Sequence, residues 1–176
     1  LKDRASFLVA AFARKMRIEN IVVASTGNAA SSMAGIGAAA GIAVTIFVPK
    51  TIPQAKLIQS LQYGAKVILV DGNYDKAYDL SLEYSKTRGG LSRNTAYNPL
   101  TIEGKKTVAI EIVRQLGRAP DILFVPTGDG VILCGVYKGF CDLKDLGIIR
   151  KIPRIYAVQA AGSNAIARAM THGQFD

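Results

Sequence analysis

Short apolar runs and longer amphipathic stretches alternate along this chain. The runs NIVVAS (20–25), AVTIFVP (43–49), AKVILVD (65–71), DILFVPT (121–127) and RIYAVQ (154–159) are rich in β-formers. Their unbroken apolar character predicts strands buried on both faces, as in a parallel sheet. Between them, 29–40, 53–62, 73–87, 101–116 and 131–145 read as helices, and 3–16 predicts a helix ahead of the first strand. GGLSRNT (89–95) leaves room for one more short strand. Strands alternating with helices imply stacked βαβ units with right-handed crossovers. The expected class is α/β, with open, mostly parallel twisted sheets flanked by helices.

The texture changes at YNPLTIEGKKT (97–107), where Pro99 and Gly104 interrupt the pattern before a long helix. This predicts a small lobe over 19–97 with a four-stranded parallel sheet. Residues 1–18 and 98–176 are expected to belong to a larger lobe.

Composition narrows the function classes. Hydrophobic residues make up 49% of the 176 and charged residues 20%, which suits a packed core and argues against disorder. No apolar run reaches the roughly 18 residues a membrane span needs, so no membrane partner and a cytoplasmic location are expected. The net charge of +9 is spread over separate short clusters. No RNA-binding aromatic signature or zinc-finger spacing accompanies it, and no nucleic-acid partner is expected. Two cysteines, Cys134 and Cys141, make no disulfide framework, and Cys134 is predicted in a helix core. His172, the single histidine, lies near the chain end, which disfavours a histidine-dependent triad. No ligand cluster suggests a metal.

In open parallel sheets, ligands bind beyond the carboxyl ends of the strands, which directs attention to two loops. ASTGNAASSMAG (24–35) follows a strand and opens a helix. Ser25, Thr26 and Gly27 offer small side chains and backbone N–H groups, and Asn28 an amide that donates and accepts. Such a loop seats an anion at a helix N-terminus, or is a plain N-cap. VPTGDGVILCG (125–135) repeats the strand–turn–helix form; Gly128 and Gly130 permit positive φ and a nest of amides. It matches neither the dinucleotide nor the ATP-loop fingerprint. Asp129 suits an anion loop only if its backbone alone is used. Lysine remains as the reactive group, since a lysine amine forms Schiff bases with carbonyl compounds. Lys2, in the triplet Lys2-Asp3-Arg4, reads by itself as a solvated charge.

Taken in order, KDRAS (2–6), STGNAAS (25–31), PKTIPQAKLIQSLQYGAKVILVDGNYDKA (49–77), NPLTIEGKKT (98–107) and VPTGDGVILCGVYKGF (125–140) resemble the fold-type II pyridoxal-phosphate enzymes, and among them the threonine synthases. The resemblance implies the two-lobed fold of the tryptophan synthase β type. It implies that Lys2 carries pyridoxal 5′-phosphate as a Schiff base and that Asn28 bonds the cofactor's 3′ oxygen. Ser25, Thr26 and Gly27 would receive the substrate carboxylate. The amides of Gly128, Asp129, Gly130, Val131 and Ile132 would hold the cofactor phosphate, although GDGVI departs from the family's usual loop. Lys105, Lys106 or Thr107 would face the substrate phosphate, with no choice among them. The implied reaction turns O-phosphohomoserine and water into threonine and phosphate. Other fold-type II activities, threonine or serine dehydratase and cysteine synthase, share these motifs, and a non-catalytic α/β fragment is the remaining alternative. The resemblance also implies that the chain is the central portion of a longer enzyme, truncated at both ends and inactive by itself, with a homodimer expected of the whole.

Overall fold

A computed structural model describes residues 1–173. Among these described residues, six strands and eight α-helices follow one another in the expected alternation. Helix α1 spans Lys2–Lys15, and the sheet elements begin with β1 (Asn20–Ala24), α2 (Asn28–Ala40), β2 (Ala43–Pro49) and, after a 3₁₀ turn at Gln54–Lys56, α3 (Ile58–Gln62). Then come β3 (Lys66–Val70), α4 (Tyr74–Arg88), β4 (Leu91–Ser92), α5 (Leu100–Lys105) and α6 (Thr107–Leu116). The last elements are β5 (Ile122–Pro126), α7 (Val131–Asp145), β6 (Arg154–Val158) and α8 (Ala165–His172).

The chain divides into two compact units, Leu1–Gly104 and Lys105–Asp176. This differs from grouping 1–18 with 98–176, because α1 lies in the first unit and packs on α2. In the first unit, four parallel strands run in the order β3-β2-β1-β4. Alternation along β1 explains its unbroken apolar sequence. Ile21 and Val23 join the core beneath α1 and α2 with Val9, Met33 and Ile46. Val22 and Ala24 point the other way, into a cluster with Phe47, Val70 and Ala77 of α4. Both faces are therefore dry, as a parallel sheet requires.

Helix α1 buries Ala5, Ser6, Val9, Ala10 and Ala13, a stripe at helical spacing. Its partner α2 answers with Ala29, Ala30, Met33, Ala34 and Gly37. Small residues allow close approach: a Cβ on Gly37 would stand 2.3 Å from Val44 Cγ2 of β2.

The second unit pairs β5 with β6 in parallel and covers them with α6 and α7. Ala109, Val113, Val125, Val136 and Phe140 form its core. The expectation of strands buried on both faces fails here. Phe124 and Tyr156 are 66% and 45% exposed and stack on each other at 5.2 Å, because α6 and α7 cover one face only. Cys134 is exposed rather than in the core. It lies off the α7 stripe of Val131, Gly135, Val136, Gly139 and Phe140 that faces inward. The stretch 101–116 also breaks, at Lys106, into α5 and α6. Among the described residues, no helix is long and apolar enough to cross a membrane, and no cluster of ligands is suited to a metal.

Candidate functional site

The first unit gathers its polar loop residues around the starts of two adjacent helices. Lys2 opens α1 and Asn28 opens α2. Both line one cleft of about 480 Å³, together with Ser31, Ser32, Gln59 and Tyr63. A second cleft of about 460 Å³, sharing Asn28, Ser31 and Gln59 with the first, is lined also by Thr26, Gly27 and Lys56. Such volumes suit a small cofactor or metabolite. The plain N-cap alternative for 25–28 is weakened. Gly27 is the N-cap residue of α2, and no side chain caps the helix. Ser25 Oγ instead accepts the Gly27 N–H at 3.3 Å, inside the loop. No side chain thus competes with an anion at the start of α2, where the Ala30 N–H already donates to the Gly27 carbonyl at 2.9 Å and the first two amides lie ahead of it.

The loop is pinned from behind. Asn94 Oδ1 accepts the Ala24 N–H at 2.7 Å, and the Tyr74 hydroxyl donates to the Ala24 carbonyl at 3.2 Å. Asn94 Nδ2 donates in turn to Ser81 Oγ at 2.7 Å. Asn94 is 1% exposed, so these bonds stand in a low-dielectric interior where each counts fully. Ser92 and Asn98 brace the segment that carries Asn94: Asn98 Nδ2 donates to the Ser92 carbonyl at 2.7 Å.

The second unit carries the other loop. Gly130, at φ +82°, is the N-cap residue of α7, a left-handed conformation that glycine adopts without strain. A Cβ on Gly128 would meet no atom within 4 Å, so that backbone is open to a ligand. Thr127 N–H is bound to the Val158 carbonyl at 2.8 Å, which ties the loop to β6. The side chain of Asp129 does not point away: its Oδ1 accepts the Val131 N–H at 3.1 Å. Ile132 follows in the first turn of α7.

The three residues of the GKKT segment have different surroundings. Lys105 is fully buried, and Thr107 begins α6 half-buried. Lys106 Nζ lies 2.7 Å from Asp142 Oδ2 on α7. The hydrogen bond from Lys106 holds the Asp142 carboxyl below its ordinary range, against the opposing effect of burial. Lys106 is thus engaged with a carboxylate.

Sequence reasoning passed over Lys56, Gln59, Arg93 and Asn94. Lys56 and Gln59 were hidden in a stretch read as one helix. Arg93 and Asn94 lay in a segment read only as a possible strand.

This arrangement can be set against known proteins. The family model described as "Pyridoxal-phosphate dependent enzyme" matches residues 1–176. The chain belongs to the pyridoxal-phosphate-dependent enzymes. Its cofactor is pyridoxal 5′-phosphate. A threonine synthase from Mycobacterium bovis is 37% identical over 163 residues, covering 92% of this chain and 45% of that protein. One from Methanocaldococcus jannaschii is 35% identical over 170 residues, covering 96% of this chain and 42% of that protein. The chain spans less than half the length of these relatives. Among solved structures, threonine deaminase isoform 2 from Solanum lycopersicum superposes with a TM-score of 0.85 at 26% identity, covering 99% of this chain and 49% of that one. Maize serine racemase superposes at 0.83 and 23% identity, covering 99% of this chain and 51% of that one, a likeness of fold. The architecture is that of the fold-type II enzymes.

The residues present fit the cofactor. In the first unit, half-buried Lys2 and the amide of Asn28 share one cleft; the second unit, by itself, offers a loop with an open glycine backbone just ahead of a helix.

Proposed function

We propose that the protein carrying this chain converts O-phosphohomoserine and water to threonine and phosphate. The observation that carries the reading is the meeting of Lys2 and Asn28 in one cleft, at the starts of α1 and α2. Its support is the kinship with threonine synthases. Lys2 would hold the cofactor through its amine, then take and return protons at the substrate carbons. A positioned base of this kind contributes about 10²–10⁴ in rate. Pyridoxal phosphate, when bound, acts as the electron sink for that chemistry. Asn28 would bond the cofactor's ring oxygen through its side-chain amide. Ser25, Thr26 and Gly27 would receive the substrate carboxylate at the uncapped start of α2. The amides of Gly128, Asp129, Gly130, Val131 and Ile132 would hold the cofactor phosphate.

The substrate's own phosphate needs cations. Lys105, Lys106 and Thr107 keep that assignment by resemblance, although Lys106 is already bound to Asp142. Lys56 adds a cation in the cleft beside Asn28. The whole protein is taken to be a cytoplasmic homodimer.

The test is product analysis on the full-length protein. Phosphate and threonine are expected from O-phosphohomoserine. Ammonia released from serine or threonine instead would assign a dehydratase, and sulfide incorporation into O-acetylserine a cysteine synthase. Lys2→Ala is expected to abolish turnover and the visible absorption of the bound cofactor while the protein stays folded.

A further inference from the structure

One turn along from the Lys2–Asn28 pair stands a second polar pair that the proposed chemistry does not use, Ser6 fully buried and Ser32 on the wall of the same cleft. Ser6 stands four residues after Lys2 on α1, and Ser32 four residues after Asn28 on α2. Residues four apart share a helix face about 6 Å along the axis. Each serine is thus one turn below a site residue on its own helix. The two serines touch: Ser32 Oγ donates to Ser6 Oγ at 2.9 Å. Ser6 Oγ also accepts from Arg93 Nε at 3.3 Å. Arg93 follows β4, and its N–H continues the pairing onto the Val22 carbonyl at 2.7 Å, so its backbone is fixed by the sheet.

Arg93 is an expensive residue in this place. It is fully buried, and among the described residues no carboxylate pairs with it. Its Nη1 donates to Thr95 Oγ1 at 3.3 Å, while Nη2 is buried with no acceptor. Burial pushes its pKa down to about 10, against a raising effect from Tyr74. An isolated buried charge costs far more than an apolar side chain of similar length. What the apolar side chain lacks is a donor at Ser6. The first turn of α1 is also gripped from another side, where a Cβ on Gly104 would stand 2.4 Å from the Arg4 carbonyl oxygen.

We infer that Arg93 is a positioning residue, which acts through Ser6 and Ser32 to set α1 against α2 and so to place Lys2 relative to Asn28. Its backbone is anchored to the sheet, its Nε reaches α1, and Ser32 ties α2 to the same oxygen. The inference rests on the reading of Lys2 and Asn28 as cofactor residues.

The test uses the full-length protein and four variants: Ser6→Ala, Ser32→Ala, Thr95→Ala and Arg93→Met. Three quantities are read: melting of the cofactor-free protein, pyridoxal phosphate affinity, and the pH midpoint of the bound cofactor's visible band. Ser6→Ala and Ser32→Ala are expected to weaken cofactor binding about fivefold, the scale of one hydrogen bond. They are expected to move the pH midpoint by about half a unit or more, because each half unit is only about 0.7 kcal/mol. Thr95→Ala removes the other Arg93 bond and is expected to lower the melting point while leaving affinity and band as in the wild type. A folded Arg93→Met is expected to behave as Ser6→Ala does, and the serine variants decide the matter if it does not fold. Wild-type affinity and band in both serine variants would overturn the inference. So would equal changes in Thr95→Ala, which indicate a purely structural arginine. Failure of the wild-type protein to develop a visible band with pyridoxal phosphate overturns the functional reading itself.

Discussion

Asn94 Oδ1 accepts the Ala24 N–H at 2.7 Å, and this bond fixes where β1 passes into the 25–28 loop. The neighbouring strand β4 is only two residues long, so a side chain takes over where the backbone ladder stops. Asn94→Ala leaves the buried Ala24 amide unpaired and removes a donor from Ser81 Oγ, which keeps its own bond to the Tyr78 carbonyl. The expected loss of stability is about 1–3 kcal/mol, the cost of one buried unsatisfied group. Urea unfolding of wild type and variant measures it. A loss below about 0.5 kcal/mol, less than one ordinary hydrogen bond, would show that water or a rearranged loop replaces Asn94.

A second expectation concerns Lys56, which lines the smaller cleft together with Asn28. On the proposed reading, Lys56→Ala in the full-length protein is expected to raise KM for O-phosphohomoserine about tenfold, the scale of one charge-assisted contact, with kcat little changed. Steady-state kinetics with an uncharged-side-chain substrate supplies the comparison. An equal rise in KM for that substrate would remove Lys56 from phosphate recognition.

The order of elements was legible because the central strands repeat one physical situation. Ile21 and Val23 enter one core, Val22 and Ala24 the other, so the sequence shows an apolar run with no alternation. The same rule misjudges β5 and β6, since the apolar face bearing Phe124 and Tyr156 looks identical in sequence to a covered one. Lys2 and the two loops were singled out through ordered motifs, each of which alone has a plain structural explanation. Arg93 had no such signal. Arginine in a short polar segment reads as solvated, and only the packing of α1 and α2 over β4's end reveals that it is buried. Lys56 and Gln59 were obscured for another reason: the stretch over 53–62 is a 3₁₀ turn followed by a short helix, which turns both side chains toward the clefts.

The Lys106–Asp142 pair gives a pH-dependent signature in the second unit. Hydrogen bonding from Lys106 depresses the folded-state pKa of Asp142, and Lys138 at 3.5 Å helps. A depressed carboxyl binds fewer protons folded than unfolded, so its contribution is present above the unfolded value near ~3.9 and is lost as pH falls through the folded value. Asp142→Asn is expected to cost about 0.5–1 kcal/mol at neutral pH, the range of partly exposed pairs. Thermal melts of both proteins, stepped from pH 7 downward, should show the gap closing below about pH 4. A gap that widens toward acid would contradict the assignment.

Asp129 places a carboxylate inside the loop assigned to the cofactor phosphate, bonded to the Val131 amide at 3.1 Å. Asparagine keeps an acceptor for that amide and removes the charge, so Asp129→Asn separates the turn's geometry from its electrostatics. Two like charges a few ångströms apart in water-like surroundings repel by about 1 kcal/mol. Pyridoxal phosphate is therefore expected to bind the full-length Asp129→Asn protein about fivefold more tightly. The gain should shrink toward 1 M salt, where the screening length falls to about 3 Å. Absorbance titration at low and high salt measures both effects. Weaker binding by the variant at either salt would mean that the ionised carboxylate is needed to hold the loop in shape, and that its cost to phosphate affinity is outweighed by the order it imposes on Gly130 and Val131.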